Sequence, residues 1–297
     1  MHKPSNPRGN IKIQAIATCF NRVDKTLACL QDFMNQELPP SIEVSILLVD
    51  DGSHDGTAEQ VQKRFPSVEV IKETGNLYWA GGMRRAWEHL EESKADFDML
   101  LVFNDDISLV RNAIAIIYLD FCNLVELGHE HVVITGVFAD PESGFLTYGG
   151  WKRDSWWHPL RMKFARPSSP AGRKPERADT LNMNFALIGK PVLDKHGFLA
   201  PYFVHHGADF EFGIRVSKKG SYLATSTQIV GFCARNTALG TSREPGLSRW
   251  TRFRRLLSPK EEPVRQRFHF HRKFAGPLWP ITFVAPYVRV LFFRGPS

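Results

Sequence analysis

The chain has 297 residues, of which 43% are hydrophobic and 23% are charged. This ordinary globular composition excludes a wholly disordered chain, and the length allows two small domains or one large α/β domain. The four cysteines are widely spaced and include no CxxC pair, which argues against a disulfide framework or a zinc ribbon and favours a reducing compartment. The sequence shows no secretory signal and no uninterrupted apolar run of about 18 residues, so we expect a cytoplasmic protein without a transmembrane helix.

The positive charge is concentrated near the C-terminal end. The net charge is +7, but residues 243–297 contain 12 Lys/Arg and 3 Asp/Glu, a net charge of +9, which leaves −2 for the remainder. Basic and aromatic residues interleave in this segment, and an apolar run broken by prolines follows. We predict a helical tail over 243–297 that lies at the inner surface of the cell membrane. The alternative is a tail that packs on the rest of the chain or on a second copy in a homodimer.

The first hundred residues predict alternating strands and helices. The predicted elements are a strand over 11–17, a helix over 24–36 with Asp24 as its N-cap, a buried strand over 43–50, a helix over 57–65, a strand over 68–73, a helix after the glycine pair 81–82, and a buried strand over 97–105. This alternation is typical of parallel βαβ units. Because ligands bind at the carboxyl ends of strands in open α/β sheets, the polar residues that follow these strands are candidate site residues.

The second half predicts fewer regular elements. We expect strands over 132–140 and 181–189, a helix over 208–219, and one or two strands over 221–231. Residues 151–179 are rich in Trp, Arg, Pro and Ser, which predicts a long loop.

Two acidic clusters follow two of the buried strands. In VDDGSHDGT (49–57), Asp50 and Asp51 suit ribose hydroxyls or a base N–H, although such residues also serve as turn and helix caps. In NDD (104–106), carboxylates at a strand end can hold Mg²⁺ or Mn²⁺ against a diphosphate, or can simply cap an acidic turn. Two such clusters on one sheet favour a ligand site over two independent caps.

The glycine pair lies in GNLYWAGGMRRA (75–86). This segment is neither GxGxxG nor GxxxxGK[ST], so the dinucleotide fingerprint and the P-loop are both absent. Glycines before a helix would let the backbone approach a ligand closely.

Taken in order, these segments resemble family 2 glycosyltransferases of the GT-A fold, in particular bacterial rhamnosyltransferase-like enzymes of surface polysaccharides. VDDGSHDGT is similar to the V-D-[DN]-G-S-x-D-G-T motif of that family almost residue for residue. TCFNR (18–22), GNLYWAGGMRRA, FNDDI (103–107) and HHGADFEFGIRVSKKG (205–220) resemble further family motifs in the same order. The resemblance covers about residues 11–235, and VDDGSHDGT is its most specific part.

The resemblance implies an open, mostly parallel sheet flanked by helices, in a catalytic domain over 1–242. Residues 11–110 would form its nucleotide-sugar half and 111–242 its acceptor half. It implies inverting transfer of a sugar from a dTDP- or UDP-linked donor to a hydroxyl of a glycan or lipid-linked glycan in bacterial surface-polysaccharide synthesis. The residues implied in the donor site are Thr18, Asn21, Arg22, Asp50, Asp51, Asn76, Gly81, Gly82 and Asp105.

The same resemblance assigns the remaining functional residues. Asp106 would hold Mn²⁺ or Mg²⁺, Asp209 would be the catalytic base, and Glu211 and His206 would contact the acceptor. The chemistry agrees with these residue types, since a carboxylate must take the proton of the attacking hydroxyl and a cation offsets the charge of the leaving diphosphate. Asp209 alone is also explained as a carboxylate at a helix N-terminus, where the helix dipole favours it.

Three departures from the family pattern concern the site. Ala208 stands before Asp209 where an acidic residue is usual, and the metal motif begins with Asn104. Relatives often carry a metal-binding histidine after the strand near residue 225, whereas this chain has GFCARN, in which Cys233 or Asn236 takes that place. These departures leave the coordination of the metal open.

Two other functions remain as alternatives. A nucleotidyltransferase would share the nucleotide-binding core, but it would need a basic, glycine-rich loop after the first strand, and TCFNRVDK contains no glycine. A non-catalytic binding module would use the basic tail, but the tail has no recognisable nucleic-acid motif, so we expect no nucleic-acid partner.

Overall fold

A sheet of nine strands lies at the centre of the described part of the chain. The computed structural model describes residues 10–155, 160–166, 174–205, 207–259, 261 and 263–292. The strands are β1 (Ile11–Cys19), β2 (Ile42–Asp50), β3 (Val68–Lys72), β4 (Met99–Phe103), β5 (Ser108–Leu109), β6 (Val132–Ala139), β7 (Leu146–Tyr148), β8 (Gly150–Arg153), β9 (Met162–Phe164), β10 (Thr180–Leu181), β11 (Phe185–Gly189) and β12 (Tyr222–Phe232). The order in the large sheet is β3-β2-β1-β4-β11-β6-β12-β5, with β7 also paired to β6.

The first four strands of this order are parallel. In the register of β1 and β2, Cys19 lies opposite Asp50, so the two strands end side by side. Strand β11 then runs antiparallel to both β4 and β6, which makes the sheet mixed beyond the first half. The loops that follow β1, β2 and β4 therefore meet at one edge of the sheet, as the βαβ pattern predicts.

Helices cover both faces of the sheet. They are α1 (Val23–Met34), α2 (Thr57–Arg64), α3 (Tyr78–Glu92), α4 (Ala113–Glu126), α5 (Lys190–His196) and α6 (Ala208–Lys218). Helices α1, α2 and α4 contribute Leu30, Val61 and Ile117 to one buried cluster, whereas α3 and α6 contribute Met83 and Phe212 to the other. The predicted α/β architecture is confirmed, with the sheet between two helical layers.

Two features of the second half differ from the sequence-based predictions. Helix α4 was not predicted, because its isoleucines and tyrosine have low helix propensity and obscure the helical period. The predicted loop 151–179 is wrong in part, since β8, β9 and β10 form a separate antiparallel sheet of three strands. The rings of Trp151 and Phe164 meet edge to face across it, at 5.3 Å between centroids, so packing outweighs the loop-like composition.

The start of α1 also differs. Asp24 lies inside the first turn, and Arg22 occupies the N-cap position without a capping side-chain bond. Instead, Asp55 accepts a hydrogen bond from the backbone N–H of Val23 at 3.0 Å. The cap of α1 is thus supplied by the VDDGSHDGT segment, which local sequence reasoning does not detect.

The C-terminal segment forms three helices, α7 (Arg249–Leu256), α8 (Val264–Phe274) and α9 (Trp279–Phe292), with a 3₁₀ turn at Gly276–Leu278. Helix α8 packs on the loop that precedes α6, where the ring centroids of Phe270 and Phe203 lie 6.3 Å apart and those of His269 and Tyr202 lie 4.9 Å apart. The described part of this tail therefore contacts the rest of the chain, which was the alternative prediction. Within the described ranges, no helix has the length and apolar character needed to cross a bilayer.

Candidate active site

Hydrogen bonds join the loops after β1 and β2. Asn21, which has a positive φ of 49°, donates its backbone N–H to Ser53 Oγ at 2.9 Å and accepts from the His54 N–H through its side chain at 2.7 Å. Asp50 is buried, and its Oδ1 accepts from the Ser53 N–H at 2.8 Å. The structure brings these two predicted donor-site residues to one strand-end crevice, and Ser53 connects them.

Asp51 has a different environment from Asp50. Its two carboxylate oxygens accept hydrogen bonds from the backbone N–H groups of Leu77 and Tyr78, at 3.0 and 2.8 Å. A carboxylate at this position satisfies N–H groups at the start of α3 and is favoured by the helix dipole. Asp51 therefore holds the beginning of α3, and the exposed Asn76 lies just before it with a φ of 73°.

The glycine pair lies inside α3, not before it as predicted. A Cβ atom at Gly82 would come within 2.3 Å of Thr18 Oγ1 and 2.7 Å of Thr18 Cβ. The close approach that this glycine permits is thus between α3 and the end of β1. Both glycines and Thr18 are buried.

Arg22 joins the ends of β1 and β4. Its Nη1 lies 2.9 Å from Asp106 Oδ2 and 3.3 Å from Asp105 Oδ1. Asp105 also accepts from Thr26 Oγ1 at 3.1 Å. Burial raises the pKa of the Asp105 carboxyl to about 6; Arg22 opposes this increase and Asp106 adds to it. The structure thus gathers Arg22, Asp105 and Asp106 in one acidic cluster with one guanidinium.

Asp106 is the carboxylate of this cluster that could hold a divalent cation, with most of the ligands supplied from outside the protein. Its side chain is 17% exposed, and its Oδ2 is paired with Arg22 Nη1 at 2.9 Å. Mg²⁺ in nucleotide sites is usually held by one or two carboxylates, with phosphate oxygens and waters as the other ligands. Within the described ranges, no group of three or more His, Cys, Asp or Glu residues is arranged to hold a metal ion.

Several residues near Asp105 and Asp106 are engaged in other contacts, which limits the number that could also bind a metal ion. The side-chain oxygen of Asn104 accepts from Trp79 Nε1 at 2.8 Å, so this amide binds a tryptophan. Cys233 lies near Asp106, with its Sγ 3.9 Å from the Asp106 carbonyl oxygen. Burial, and secondly the charge of Asp106, raises the pKa of the Cys233 thiol to about 12, so the thiol is protonated at neutral pH. Asn236 lies further along and donates its backbone N–H to Tyr148 Oη at 3.3 Å.

Asp209 lies in the first turn of α6. Its Oδ2 accepts a hydrogen bond from Asn182 Nδ2 at 3.4 Å. The orientation of Asn182 is set on its other side, since its Oδ1 accepts from Trp151 Nε1 at 2.8 Å. Trp151 therefore fixes the amide whose N–H group faces the candidate base.

Two sets of hydrogen bonds join the Asn104–Asp106 segment to the segments around Asp209. The backbone N–H of Asn104 donates to the Asn184 carbonyl at 3.0 Å, and Asn184 lies two residues after Asn182. Trp79, which binds Asn104 through its ring, also donates its backbone N–H to His205 Nδ1 at 3.4 Å. The acidic cluster and the start of α6 thus contact common neighbours, the loop 182–184 and the first turn of α3.

Glu211, predicted to contact the acceptor, is placed elsewhere. Its side chain is 0% exposed, and its carboxylate binds Arg215 Nε at 3.0 Å and Lys273 Nζ at 2.9 Å. This arrangement corrects the prediction, because a fully buried and doubly paired carboxylate holds α6 and α8 together and has no surface for an acceptor. His206 lies outside the described residues.

Sequence reasoning missed two residues of this region, namely Trp79 and Asn182. Asn182 fell in a segment predicted to be a strand, and Trp151 fell in a segment predicted to be a loop. Trp79 lies in GNLYWAGGMRRA, where the residues assigned to the site were Asn76 and the glycine pair.

Part of the chain matches a known protein family. Residues 15–123 match the family model described as Glycosyl transferase family 2. The match coincides largely with the predicted nucleotide-sugar half, and it covers less than half of the chain. No curated protein matches the chain at a significant level.

Solved structures resemble the chain over almost its whole length. A mannosyltransferase from Pyrobaculum calidifontis, PcManGT, solved in complex with GDP-Man and Mn²⁺, aligns with a TM-score of 0.55 and 16% identity, over 95% of this chain and 71% of that one. A fragment of S. aureus TarS, residues 1–349, aligns with a TM-score of 0.53 and 13% identity, over 95% of this chain and 81% of that one. At such low identity these likenesses show a shared fold.

Proposed function

We propose that this chain is a glycosyltransferase that catalyses inverting transfer of a sugar from a nucleoside diphosphate to a hydroxyl group. The proposal is supported by the match of residues 15–123 to the family 2 model and by the fold shared with a solved mannosyltransferase. The proposed donor is dTDP- or UDP-linked. The proposed acceptor is a glycan or lipid-linked glycan of a bacterial surface polysaccharide.

One observation carries this proposal above the others. Asn104 and Asp209 belong to the two motifs that need to act on one sugar, and each is bonded to the loop 182–184. A carboxylate on the acceptor side and a carboxylate cluster on the diphosphate side are the two groups that an inverting transfer requires. Their common neighbours favour one crevice over two separate sites.

The chemical step assigns each proton and electron pair to a group. The acceptor oxygen attacks the anomeric carbon while the bond from that carbon to the diphosphate oxygen breaks, and the nucleoside diphosphate leaves. Asp209 takes the proton of the attacking hydroxyl, a role worth about 10²–10⁴ in rate. Asn182 holds the Asp209 carboxylate through its amide, so it acts as a positioning residue.

On the donor side, the chain's own groups orient the nucleotide. Asp50 lies at the end of β2, where a nucleoside would reach it, and the Arg22 guanidinium supplies positive charge next to Asp105 and Asp106. Asp106 would hold Mn²⁺ or Mg²⁺. When bound, such an ion offsets the negative charge that develops on the leaving diphosphate.

The test is a panel of nucleotide sugars, scored for binding and for hydrolysis with and without Mn²⁺. The panel includes dTDP- and UDP-linked sugars and also GDP-mannose, the ligand of the similar mannosyltransferase. We expect one donor to bind in a Mn²⁺-dependent manner and to release a nucleoside diphosphate. Release of inorganic diphosphate would instead indicate a nucleotidyltransferase, and no binding by any donor would contradict the proposal.

We place the enzyme at the inner face of the cell membrane, in contact with anionic lipid through its tail. Trp250 is exposed on α7 between the exposed Arg249 and Arg254, a combination suited to the interface of a bilayer. Sedimentation with phosphatidylglycerol vesicles tests this location. We expect Trp250→Asp to reduce vesicle binding, and equal sedimentation of both proteins would argue against it.

A further inference from the structure

A large groove lies between the tail and the acceptor half. It encloses about 1260 Å³, more than the roughly 300–1,000 Å³ of typical small-molecule pockets. Phe203, Gly207 and Phe210 line it on the acceptor side, and residues of α8 and α9 line it on the tail side. A groove of this size suits an extended ligand.

One face of α9 lines the groove with apolar side chains. Ile281, Val284 and Val288 lie three and four positions apart on α9, so they share one face of that helix. They remain open to solvent, since Ile281 is 67% exposed and Val288 is 40% exposed. Aliphatic side chains offer no hydrogen bonds to sugar hydroxyls, so this wall favours a hydrocarbon chain over a second glycan.

The charge of the groove favours an anionic head group on that chain. Arg289 lines the groove and is exposed, and Arg267 donates to the backbone carbonyls of Thr282 and Phe283. Glu261 uses its carboxylate to accept from the backbone N–H and the hydroxyl of Ser242. Of the three charged lining residues that are described, Arg289 is the one that is exposed to solvent, whereas Arg267 is bonded to two carbonyls and Glu261 to a serine.

Residues on both sides of the candidate base in the chain line the groove. Gly207 and Phe210 flank Asp209 in the chain, and the ring of Phe210 lies 6.0 Å from that of Trp151, which orients Asn182. A ligand whose chain occupies the groove would thus have its polar end near the first turn of α6.

From these contacts we infer that the groove binds the hydrocarbon chain and phosphate of a lipid-linked acceptor. The inference rests on the proposed function, because it takes the bound molecule to be the acceptor of that reaction. Of the two acceptors proposed above, it selects the lipid-linked glycan. It makes α9 part of the acceptor site, with Ile281 and Val288 against the chain and Arg289 near the phosphate.

The test measures binding of farnesyl diphosphate, an isoprenoid chain on a diphosphate, by calorimetry with the full chain. Farnesol is the probe that lacks the diphosphate head group, and inorganic diphosphate is the probe that lacks the hydrocarbon chain. The groove variants are Ile281→Asp and Val288→Asp, both at exposed positions. The matched control is Leu278→Asp, which is 47% exposed in the same segment but is not among the described lining residues.

We expect wild-type protein to bind farnesyl diphosphate at least tenfold more tightly than either partial probe. We expect both groove variants to lose at least tenfold in affinity, and Leu278→Asp to remain within twofold of wild type. Equal affinity in the groove variants, or an equal loss in Leu278→Asp, would overturn the inference. So would a wild-type dimer that Val288→Asp dissociates, since the groove would then be a subunit interface.

Two further measurements separate this inference from others. Sedimentation with phosphatidylglycerol vesicles should be unchanged in Ile281→Asp. If this variant instead loses vesicle binding, and the wild type does not bind farnesyl diphosphate, the groove binds bilayer lipid. That result would also overturn the inference. Nucleotide-sugar binding should be unchanged in the same variant. Failure of the wild type to bind any nucleotide sugar would contradict the proposed function but not the binding of a lipid in the groove, because the affinity for farnesyl diphosphate is measured without a donor.

Discussion

The side-chain amide of Asn182 donates a hydrogen bond to the carboxylate of Asp209, with 3.4 Å between Nδ2 and Oδ2. Trp151 fixes which end of the amide faces Asp209, since its indole N–H occupies the amide oxygen. The candidate base on α6 is therefore oriented by a residue that precedes β11 and by a residue of β8. Three separate segments of the acceptor half determine the position of one carboxylate.

Replacing this amide by a carboxylate should change the pH dependence of the reaction. In Asn182→Asp the oxygen that accepts from Trp151 is retained, the N–H group that faces Asp209 is lost, and a negative charge is added. A like charge favours the protonated form of Asp209, so we expect the acidic limb of kcat/KM to move up by about one pH unit. Asn182→Ala, which adds no charge, should show a smaller shift. A pH profile identical to that of the wild type in Asn182→Asp would exclude Asn182 as a positioning residue.

Metal affinity should depend on Asp106. In Asp106→Asn we expect the affinity for Mn²⁺, measured in the presence of UDP by electron paramagnetic resonance of the free ion, to fall by about tenfold or more, which equals about 1.4 kcal/mol. Asp96→Asn is a suitable control, because Asp96 is exposed and precedes β4, at the opposite end of that strand from Asp106. Unchanged Mn²⁺ affinity in Asp106→Asn would remove this carboxylate from the metal site.

Because α3 packs on β1, alanine substitutions at the two adjacent glycines should have unequal effects on the free energy of unfolding. Gly82→Ala forces a Cβ atom against Thr18, and overpacking of this kind costs about 1–3 kcal/mol of unfolding free energy. In Gly81→Ala the nearest atom is Leu77 Cβ at 3.2 Å, a tight contact that the gain of up to about 1 kcal/mol in helix propensity largely offsets. Urea denaturation measures both. Thr18→Ala should partly rescue Gly82→Ala, and equal stability of the two single variants would contradict the assigned contact.

The two ion pairs of Glu211 should also contribute unequally to the stability of the protein. Arg215 is 10% exposed and also donates to the carbonyls of His196 and Phe198, so Arg215→Ala leaves a buried carboxylate and is expected to cost about 3–5 kcal/mol. Lys273 is 47% exposed, and Lys273→Ala should cost less than about 1 kcal/mol because solvent screens that pair. Thermal unfolding of the two variants compares them. A larger loss in Lys273→Ala would show that the contact of the tail, and not Arg215, stabilises Glu211.

The nucleotide half of the fold was predictable because its signals are local. The run EVSILLVD reads as a strand buried on both faces, and β2 is found at Ile42–Asp50. Asp50, Asp105 and Asp106 follow strands that end at one edge of a parallel sheet, so the sequence pattern was enough to bring them together. The N-cap of α1 was not predictable, since Asp55 reaches Val23 from another loop.

The acceptor half was less predictable because its determinants are tertiary. Glu211 lies two positions after Asp209 in a family motif, yet helical geometry turns it into the protein, where Arg215 and Lys273 neutralise it. The role of Asn182 depends on Trp151, which lies 31 positions away and was assigned to a loop. Short strands such as Met162–Phe164 are too brief to show a period of two against a background of Arg, Pro and Ser.

Asp209 is the group that we propose removes the proton of the attacking hydroxyl. Single-turnover kinetics of Asp209→Asn tests this role, with calorimetric binding of the same nucleotide sugar and Mn²⁺ as the companion measurement. We predict that the rate falls by about 10²–10⁴ while donor affinity stays within threefold of the wild type, because a general base acts in the transition state. A rate equal to that of the wild type with unchanged donor binding would contradict the claim.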